Sequence, residues 1–261
     1  MGKNRNRVKH MLNRRVFAES LAQDAGAMAR DYFVNRTALT VESKRPGDYV
    51  SEADRNVELM VRRRIEESYP GENVVGEEEG GTESGSFWCV DPIDGTSNFL
   101  AGIPIWGVSI AYCEGGVPMV GAIAIPMQDI LISADMMQPG FHLNGVHHSK
   151  TADTPIDFLA LGESQDWTRD AIRQVEDVFL GAGLTLVKYR CCVVGLVYAA
   201  LGRTRGYFEQ NTNIWDVSAG YVIAKQAGLE VSIKRNTSDH QLRISALHPA
   251  EHDAVKRQLH L

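Results

Sequence analysis

The strongest constraint in this sequence lies at residues 87–98, where an apolar run ends in two carboxylates, Asp91 and Asp94. Pro92 between them fixes φ and provides no backbone donor, and Gly95 after them permits a sharp turn. A strand that leads into this loop therefore holds two anions close together. Because like charges repel, the loop needs a cation, and hard oxygen ligands suit Mg²⁺ or Mn²⁺ rather than Zn²⁺.

Two further acidic clusters stand where apolar segments end. Residues 74–80 run from a predicted strand into three glutamates at 77–79, and Asp216 follows an Asn-Ile-Trp segment. Asp216 lies in the first turn of a predicted helix that stops at Gly228, where the helix dipole favours an anion. Each cluster alone is typical of a solvated surface loop or a helix start. Together they predict a pocket of carboxylates that binds two or more divalent cations, an arrangement suited to phosphoryl transfer.

With these blocks in this order, the chain resembles the inositol monophosphatase family. The resemblance rests on Gly-Glu-Glu at 76–78, Trp-x-x-Asp-Pro-Ile-Asp-Gly-Thr-x-Asn-Phe at 88–99 and Trp-Asp-x-x-Ala-Gly at 215–220. It extends from about Ser43 to Val231. That family belongs to a superfamily of Mg²⁺-dependent, lithium-sensitive phosphatases. The resemblance implies a layered α+β fold, a five-layer αβαβα sandwich, and a phosphoric monoester hydrolase of the inositol-phosphate type.

The resemblance also implies two or three Mg²⁺ ions in each active site. Glu77, Asp91 and the backbone carbonyl of Ile93 would bind the first ion. Asp91, Asp94 and Asp216 would bind the second, with Asp91 bridging the two. A third, weaker ion would lie near Glu77.

Catalytic and substrate-binding roles follow from the same resemblance. Glu77 and the hydroxyl of Thr96 would orient an attacking water beside Asp91, and Glu209 would accept a substrate hydroxyl. Backbone N–H groups at Gly95 and Thr96 would hold phosphate oxygens. The residues expected around the substrate are Ile93, Asp94, Gly95, Thr96, Glu209 and Asp216. The residues expected to support the metal ligands from outside are Lys44, Asp48 and Asp54.

Helical and strand patterns predict two halves. Apolar residues at helical spacing predict a helix over about 14–33, and Ser51 with Asp54 matches a capping box for a second helix. Strands are predicted at 107–113, 117–125 and 130–134, with connections so short that they must be antiparallel hairpins.

Beyond Asn144-Gly145, strands and helices alternate more regularly. We therefore expect an α+β half at 1–145 that carries most of the metal ligands. An α/β half at 146–261 would carry Glu209 and Asp216, and the two would form one compact unit.

Composition narrows the possible partners. The 261 residues carry a net charge of −6, which argues against binding to a nucleic-acid backbone. No apolar run reaches the roughly 18 residues that a membrane span needs. The basic N-terminus lacks the apolar segment of a secretory signal, so we expect a frayed tail there. Four cysteines without CxxC spacing indicate reduced thiols in a cytoplasmic protein.

One segment departs from the family pattern. Many members carry a small-residue run where this chain reads Tyr-Arg-Cys-Cys-Val-Val-Gly-Leu at 189–196. Larger side chains would reshape the substrate pocket, and Arg190 could place a positive charge opposite a second anionic group. The segment at 161–164 adds an acid, Glu163, beside the same pocket. The resemblance thus supports phosphatase chemistry more firmly than it supports one substrate.

Three functions remain open at this point. The first is a phosphatase acting on inositol phosphate or another polyol or sugar phosphate, which Glu209 favours. The second is the same chemistry on histidinol phosphate, fructose 1,6-bisphosphate or 3′-phosphoadenosine 5′-phosphate. The sequence Thr-Asn-Ile-Trp-Asp at 212–216 resembles the nucleotidase branch and favours the last of these. The third is a regulatory protein that contacts RNA, against which the net charge argues. We expect a homodimer, with the hairpins at 117–134 as one candidate interface.

Overall fold

The computed structural model describes residues 2–45, 48–151, 156–163, 167–235 and 241–261. It describes the side chains of these residues except at positions 2–5, 38, 44, 45 and 48. The helices are α1 (Gly2–Val34), α2 (Glu52–Ser68), α3 (Thr96–Ala101), α4 (Arg169–Gly181), α5 (Cys192–Ala200), α6 (Ile214–Gln226) and α7 (Pro249–Val255). The strands before residue 150 are β1 (Val41–Arg45), β2 (Asp48–Ser51), β3 (Asn73–Gly76), β4 (Ser86–Asp94), β5 (Gly107–Glu114), β6 (Val117–Ile125), β7 (Ile130–Asp135), β8 (Phe141–Leu143) and β9 (Val146–His148). The remaining strands are β10 (Phe158–Leu161), β11 (Thr185–Val187), β12 (Gly206–Thr212), β13 (Glu230–Arg235) and β14 (Leu242–Leu247).

Helices and sheets alternate in five layers, as the family resemblance implies. Helices α1 and α2 cover one face of a seven-stranded sheet, and α5 and α6 cover its other face. A five-stranded sheet follows, with α4 and α7 on its outer side. Three apolar cores fill the spaces between these layers, so each sheet is buried on both faces.

The outer helices form as their sequences predict, with one exception. Ser51 and Asp54 make the predicted capping box at the start of α2, where the Ser51 N–H donates to Asp54 Oδ2 at 2.8 Å. The expectation of a frayed N-terminal tail is wrong, because α1 is helical from Gly2. Met11 is fully buried and anchors this part of the helix. Once a helix is anchored, each further residue that joins it adds one backbone hydrogen bond, which favours extension towards Gly2. Arg7 also pairs with Glu114 at 2.9 Å.

The seven-stranded sheet has the order β3-β4-β5-β6-β7-β8-β9, and all pairs except β3-β4 are antiparallel. The predicted hairpins among β5, β6 and β7 are therefore confirmed. Alternation along β4 sends Trp88 and Val90 into the core with α1 and α2, while Phe87 and Cys89 join the central core.

The segment near 145 is a tight hairpin turn. Asn144 and Gly145 both have positive φ, 48° and 78°, and they join β8 to β9 within the same sheet. The seven-stranded sheet consequently continues to His148. The division into two halves stays a prediction.

The five-stranded sheet has the order β11-β10-β12-β14-β13. Strand β10 pairs in parallel with β11 and β12, whereas β14 pairs antiparallel with β12 and β13. This mixed pairing reflects the alternation of strands and helices beyond residue 156. All four cysteines of the chain are free and buried. None of the described helices is long and apolar enough to cross a membrane.

Gly121 lets α6 approach the seven-stranded sheet. A Cβ atom at this position of β6 would stand 2.4 Å from the carbonyl oxygen of Ala219 and 2.8 Å from its Cα. Both are backbone atoms of α6, so no side-chain rotation could relieve the contact. Because α6 also carries Asp216, the spacing at Gly121 sets the position of that carboxylate.

We expect Gly121→Ala to destabilise the protein by about 1–3 kcal/mol, since an added methyl would force α6 off the sheet. Gly181→Ala is the matched control. It lies at the end of α4 with no atom within 4 Å of the added Cβ, and we expect no loss of stability there. Urea unfolding of the three proteins tests this. Equal stabilities for the two variants would contradict the argument.

Candidate active site

Three aspartates from distant parts of the chain converge. Asp91 and Asp94 lie at the end of β4, and Asp216 lies in the first turn of α6. Each offers a carboxylate oxygen, and these oxygens all lie within 4.8 Å of one another. The pairing between β4 and β5 shifts register between Asp91 and Asp94, so a bulge occurs at the Pro92-Ile93 step. Bulges of this kind redirect side chains at the end of a strand.

Asp91 is the most deeply buried of the three, at 1% exposure. Its Oδ1 accepts the Ile93 N–H at 3.0 Å, whereas its Oδ2 meets no donor among the described residues. Burial raises the pKa of Asp91 well above its usual value, and the negative charges of Glu77, Asp94 and Asp216 raise it further. A buried carboxylate oxygen with neighbouring anions and no donor is the environment that a cation would satisfy.

The carboxylates of Asp94 and Asp216 each accept hydrogen bonds from other groups of the protein. Asp94 Oδ2 accepts the Val193 N–H at 2.5 Å and the Cys191 thiol at 3.3 Å. Burial and the charge of Asp216 nevertheless raise the pKa of Asp94 to about 7. Asp216 Oδ2 accepts the Thr212 hydroxyl at 2.7 Å and the Asn213 N–H at 2.8 Å, which caps α6.

The chemistry of this cluster fits a hard divalent cation. Two ionised carboxylate oxygens at the outer limit of 4.8 Å repel each other by about 3 kcal/mol at an effective dielectric constant of about 20. The three groups supply only oxygen ligands, as Mg²⁺ prefers. The residues present therefore fit the metal that the sequence implies.

Glu77 lies in the loop after β3 and lines the same pocket as the three aspartates. It is not a member of the tight triad, although its charge is the largest neighbouring contribution to the raised pKa of Asp91.

Glu58 accepts hydrogen bonds from the loop that carries Glu77, and sequence reasoning missed this residue. Glu58 is fully buried on α2 and accepts the N–H groups of Glu78 at 2.9 Å and Glu79 at 3.2 Å. Arg62, one turn further along α2, donates to Glu58 at 2.8 Å and to the Gly80 carbonyl at 2.6 Å. One signal was present in the sequence: Glu58 shares the buried face of α2 with Asp54 and Val61.

The turn after Asp94 needs a glycine. Gly95 has φ of 90° and precedes α3, and a Cβ there would lie 3.2 Å from Cys191 Cβ. The next residue, Thr96, places its hydroxyl 3.0 Å from the Ile93 carbonyl oxygen and 3.2 Å from Asp54 Oδ1. Asp54 is fully buried and thus links the start of α2 to this turn.

Asn98 joins the turn to the second half of the chain, and sequence reasoning assigned it no role. Its side-chain amide donates to the carbonyls of Ile105 and Tyr189, both at 2.8 Å. Asn98 is buried, which makes this pair of bonds a fixed link between α3 and the segment before α5.

Glu209 stands on β12 at 9% exposure and lines the pocket. The Tyr207 hydroxyl donates to Glu209 Oε2 at 2.5 Å. Burial raises the pKa of Glu209 to about 8, because the stabilising Tyr207 bond is outweighed by lost hydration and by the charges of Asp216 and Asp94.

Two expected supporting residues cannot be placed in the same detail. Lys44 and Asp48 lie on the paired strands β1 and β2, and their side chains are outside the described part of the structure. Glu163 lies at the pocket, and Ser164 is outside the described residues.

Comparison with known proteins agrees with this geometry. Residues 11–255 match the model of the inositol monophosphatase family. The chain belongs to that family. It is 32% identical over 232 residues to an inositol-1-monophosphatase of Mesorhizobium japonicum, covering 83% of this chain and 84% of the relative. It is also 32% identical over 227 residues to a histidinol-phosphatase of Mycobacterium tuberculosis, covering 82% and 84%.

A solved structure shows the same fold. The extragenic suppressor protein suhB from Bartonella henselae superposes with a TM-score of 0.81 at 27% identity, over 97% of this chain and 98% of that chain. Family and relatives together indicate a phosphatase. They do not agree on one substrate, since the two named enzymes are equally similar to this chain.

We expect Glu58→Gln to destabilise the protein by about 1–3 kcal/mol, because the amide nitrogen would face an N–H donor where a carboxylate oxygen accepts in the wild type. The loop of Glu77 should loosen at the same time, so half-maximal activity should require more Mg²⁺. Urea unfolding and Mg²⁺ titration measure the two effects. Glu67→Gln on the exposed side of α2 is the control, with an expected change within about 0.5 kcal/mol. Indistinguishable behaviour of the two variants would rule out the role of Glu58.

The raised pKa of Glu209 predicts a pH-dependent stability in EDTA-treated protein. Between the ordinary value of 4.5 and about 8, the folded state binds more protons than the unfolded state. Stability contributed by Glu209 is therefore present at low pH and is lost as pH rises through this window. We expect Glu209→Gln to gain stability relative to wild type from pH 5 to pH 8 in urea unfolding. A difference that stays constant with pH would contradict this.

Proposed function

We propose that this protein is a Mg²⁺-dependent phosphate monoester hydrolase that acts on a polyol or sugar phosphate. The observation that carries the proposal is the unpartnered Oδ2 of Asp91, buried where Asp94 and Asp216 converge. A site for divalent cations at this point suits hydrolysis of a phosphate ester, whose negative charge must be offset during reaction.

Asp91, Asp94 and Asp216 would hold one Mg²⁺, and Glu77, Asp91 and the Ile93 carbonyl another. When bound, Mg²⁺ supplies positive charge against the phosphate oxygens and lowers the pKa of a coordinated water. Two or three ions per site, and the lithium sensitivity of the family, are part of this proposal.

Glu77 and Thr96 would orient the attacking water, and Glu77 would accept its proton. The Thr96 hydroxyl donates its single proton to the Ile93 carbonyl or to Asp54, so its oxygen remains available as an acceptor. A water held between this oxygen and the Glu77 carboxylate would be oriented for attack, with Glu77 as its base. Backbone N–H groups of Gly95 and Thr96 would hold the phosphate, and Lys44, Asp48 and Asp54 would support the site from outside.

Glu209 would bind the alcohol part of the substrate. It is held by Tyr207 in the pocket of about 220 Å³ that also contains the three aspartates. A carboxyl group fixed there can accept hydrogen bonds from adjacent hydroxyls of a polyol, which orients the ester without taking part in bond breaking.

Histidinol phosphate is the second candidate substrate, because the histidinol-phosphatase relative is as similar to this chain as the inositol-1-monophosphatase. Release of phosphate from inositol 1-phosphate, histidinol phosphate, fructose 1,6-bisphosphate and 3′-phosphoadenosine 5′-phosphate, compared as kcat/KM with Mg²⁺, separates these possibilities. A cytoplasmic homodimer is also proposed, and light scattering that shows a monomer at micromolar concentration would exclude the dimer.

We expect Asp91→Asn to lose nearly all Mg²⁺-dependent phosphatase activity while the fold survives. The change keeps the size of the side chain but removes a charge from the proposed ligand set. Without cations, the same change should raise stability because it relieves repulsion with Asp94 and Asp216. Asp129→Asn is the control, since the Asp129 carboxylate is 93% exposed. Phosphate release and unfolding with EDTA measure both effects, and turnover within tenfold of wild type would overturn the assignment.

A further inference from the structure

Arg190 is the only basic side chain among the described residues that line the pocket of Asp91, Asp94 and Asp216. It lies in the segment that departs from the family pattern, and the steps proposed above do not use it. A positively charged guanidinium in a proposed site for phosphate esters would pair with an anionic group. The geometry of Arg190 therefore bears on which substrates fit the pocket.

The backbone of Arg190 is held in an unfavourable conformation. Its φ is 57°, in the left-handed region that is unfavourable for an L-residue. Contacts on both sides keep it there. Asn98 donates to the carbonyl of Tyr189 before it, and after it the Cys191 thiol and the Val193 N–H both donate to Asp94. The bend at Arg190 is thus tied to the loop that holds the proposed metal ligands.

The side chain of Arg190 is also positioned. Its Nη1 donates to the main-chain carbonyl of Glu163 at 3.0 Å. A carbonyl carries no formal charge, so this bond orients the guanidinium without neutralising it. The Glu163 carboxylate instead pairs with Lys188 at 2.8 Å, and Lys188 also pairs with Glu176 at 2.9 Å.

We propose that Arg190 is a specificity residue that binds a second anionic group, a carboxylate or a second phosphate, on the alcohol part of the ester. This inference rests on the proposed function, in which the three aspartates and their cations take the phosphate that is cleaved. The planar guanidinium matches both groups because it can donate two parallel hydrogen bonds.

Distance and volume restrict the substrate further. Arg190 and the three aspartates line one pocket, so both anionic groups of the ester must fit within it. The pocket of about 220 Å³ is smaller than the roughly 300–1,000 Å³ of sites for drug-sized ligands. The substrate class is therefore a small ester that carries two anionic groups, rather than a nucleotide.

Two pairs of esters that differ only in the second group test this with the full-length protein and Mg²⁺. Glycerol 3-phosphate and 3-phosphoglycerate differ by a carboxylate, and fructose 1-phosphate and fructose 1,6-bisphosphate differ by a phosphate. We expect wild type to prefer the doubly anionic member of at least one pair by about tenfold in kcat/KM. The pair that shows the preference identifies the second group as carboxylate or phosphate.

Arg190→Gly and Arg190→Gln should abolish this ratio, while Arg190→Lys should retain part of it. Glycine adopts the positive φ without strain, so Arg190→Gly should fold, and thermal melting checks this. Arg63→Gln is the matched control, since the Arg63 side chain is 71% exposed on α2. It should keep the wild-type ratio.

A wild type without preference in either pair, or a preference that Arg190→Gly and Arg190→Gln retain, would overturn the inference and leave the proposed function intact. If Mg²⁺ promotes hydrolysis of no ester here or in the wider panel, the proposed function fails instead. In that case calorimetry measures the affinity of wild type and of the Arg190 variants for the same esters. A preference for the doubly anionic member that is lost in Arg190→Gly and Arg190→Gln would still support the role of Arg190, and its absence in wild type would contradict that role.

Discussion

Repulsion among the carboxylates of Asp91, Asp94 and Asp216 is the constraint around which the site is arranged. Burial removes the water that would screen these charges, and the raised pKa of Asp91 and Asp94 reflects the resulting strain. The folded structure must therefore hold the three carboxylates together in spite of their mutual repulsion. Packing of both sheets between layers of helices does this. Close approach of α6 at Gly121 and the cap at Asn213 fix the third carboxylate against the other two.

The pocket is built from segments that are far apart in the sequence. Asp94 accepts bonds from Val193 and Cys191 at the start of α5, and Asn98 donates to the carbonyl of Tyr189. These bonds join the end of β4 and the turn after it to a segment almost 100 residues away, so the proposed cation ligands and the pocket wall around Arg190 are held together. In the proposed function, such coupling would give the reacting phosphate a fixed orientation relative to the alcohol that leaves.

Family membership and substrate choice rest on different parts of the molecule. The acids that define the family occupy strand and helix ends, which the layered fold places in one pocket. Arg190 occupies a bend of positive φ in the wall of that pocket. The bend is anchored through backbone and thiol contacts of its neighbours to Asp94 and Asn98, so the Arg190 side chain itself is not needed to hold Asp94 in place.

Local patterns in the sequence were enough to predict the hairpins of β5, β6 and β7, the capping box at Ser51 and the acids of the pocket. Each depends on residues close together along the chain, where periodicity, turn chemistry and helix starts act directly. The helical N-terminus, the buried Glu58 beneath the Glu77 loop and the bridge made by Asn98 were not predictable in this way. Met11, Glu58 and Asn98 acquire their roles from contacts with segments far away in sequence, and a one-dimensional pattern does not record which segments will meet. The same holds for Arg190, whose charge is visible in the sequence but whose place in the pocket of the three aspartates depends on the tertiary structure.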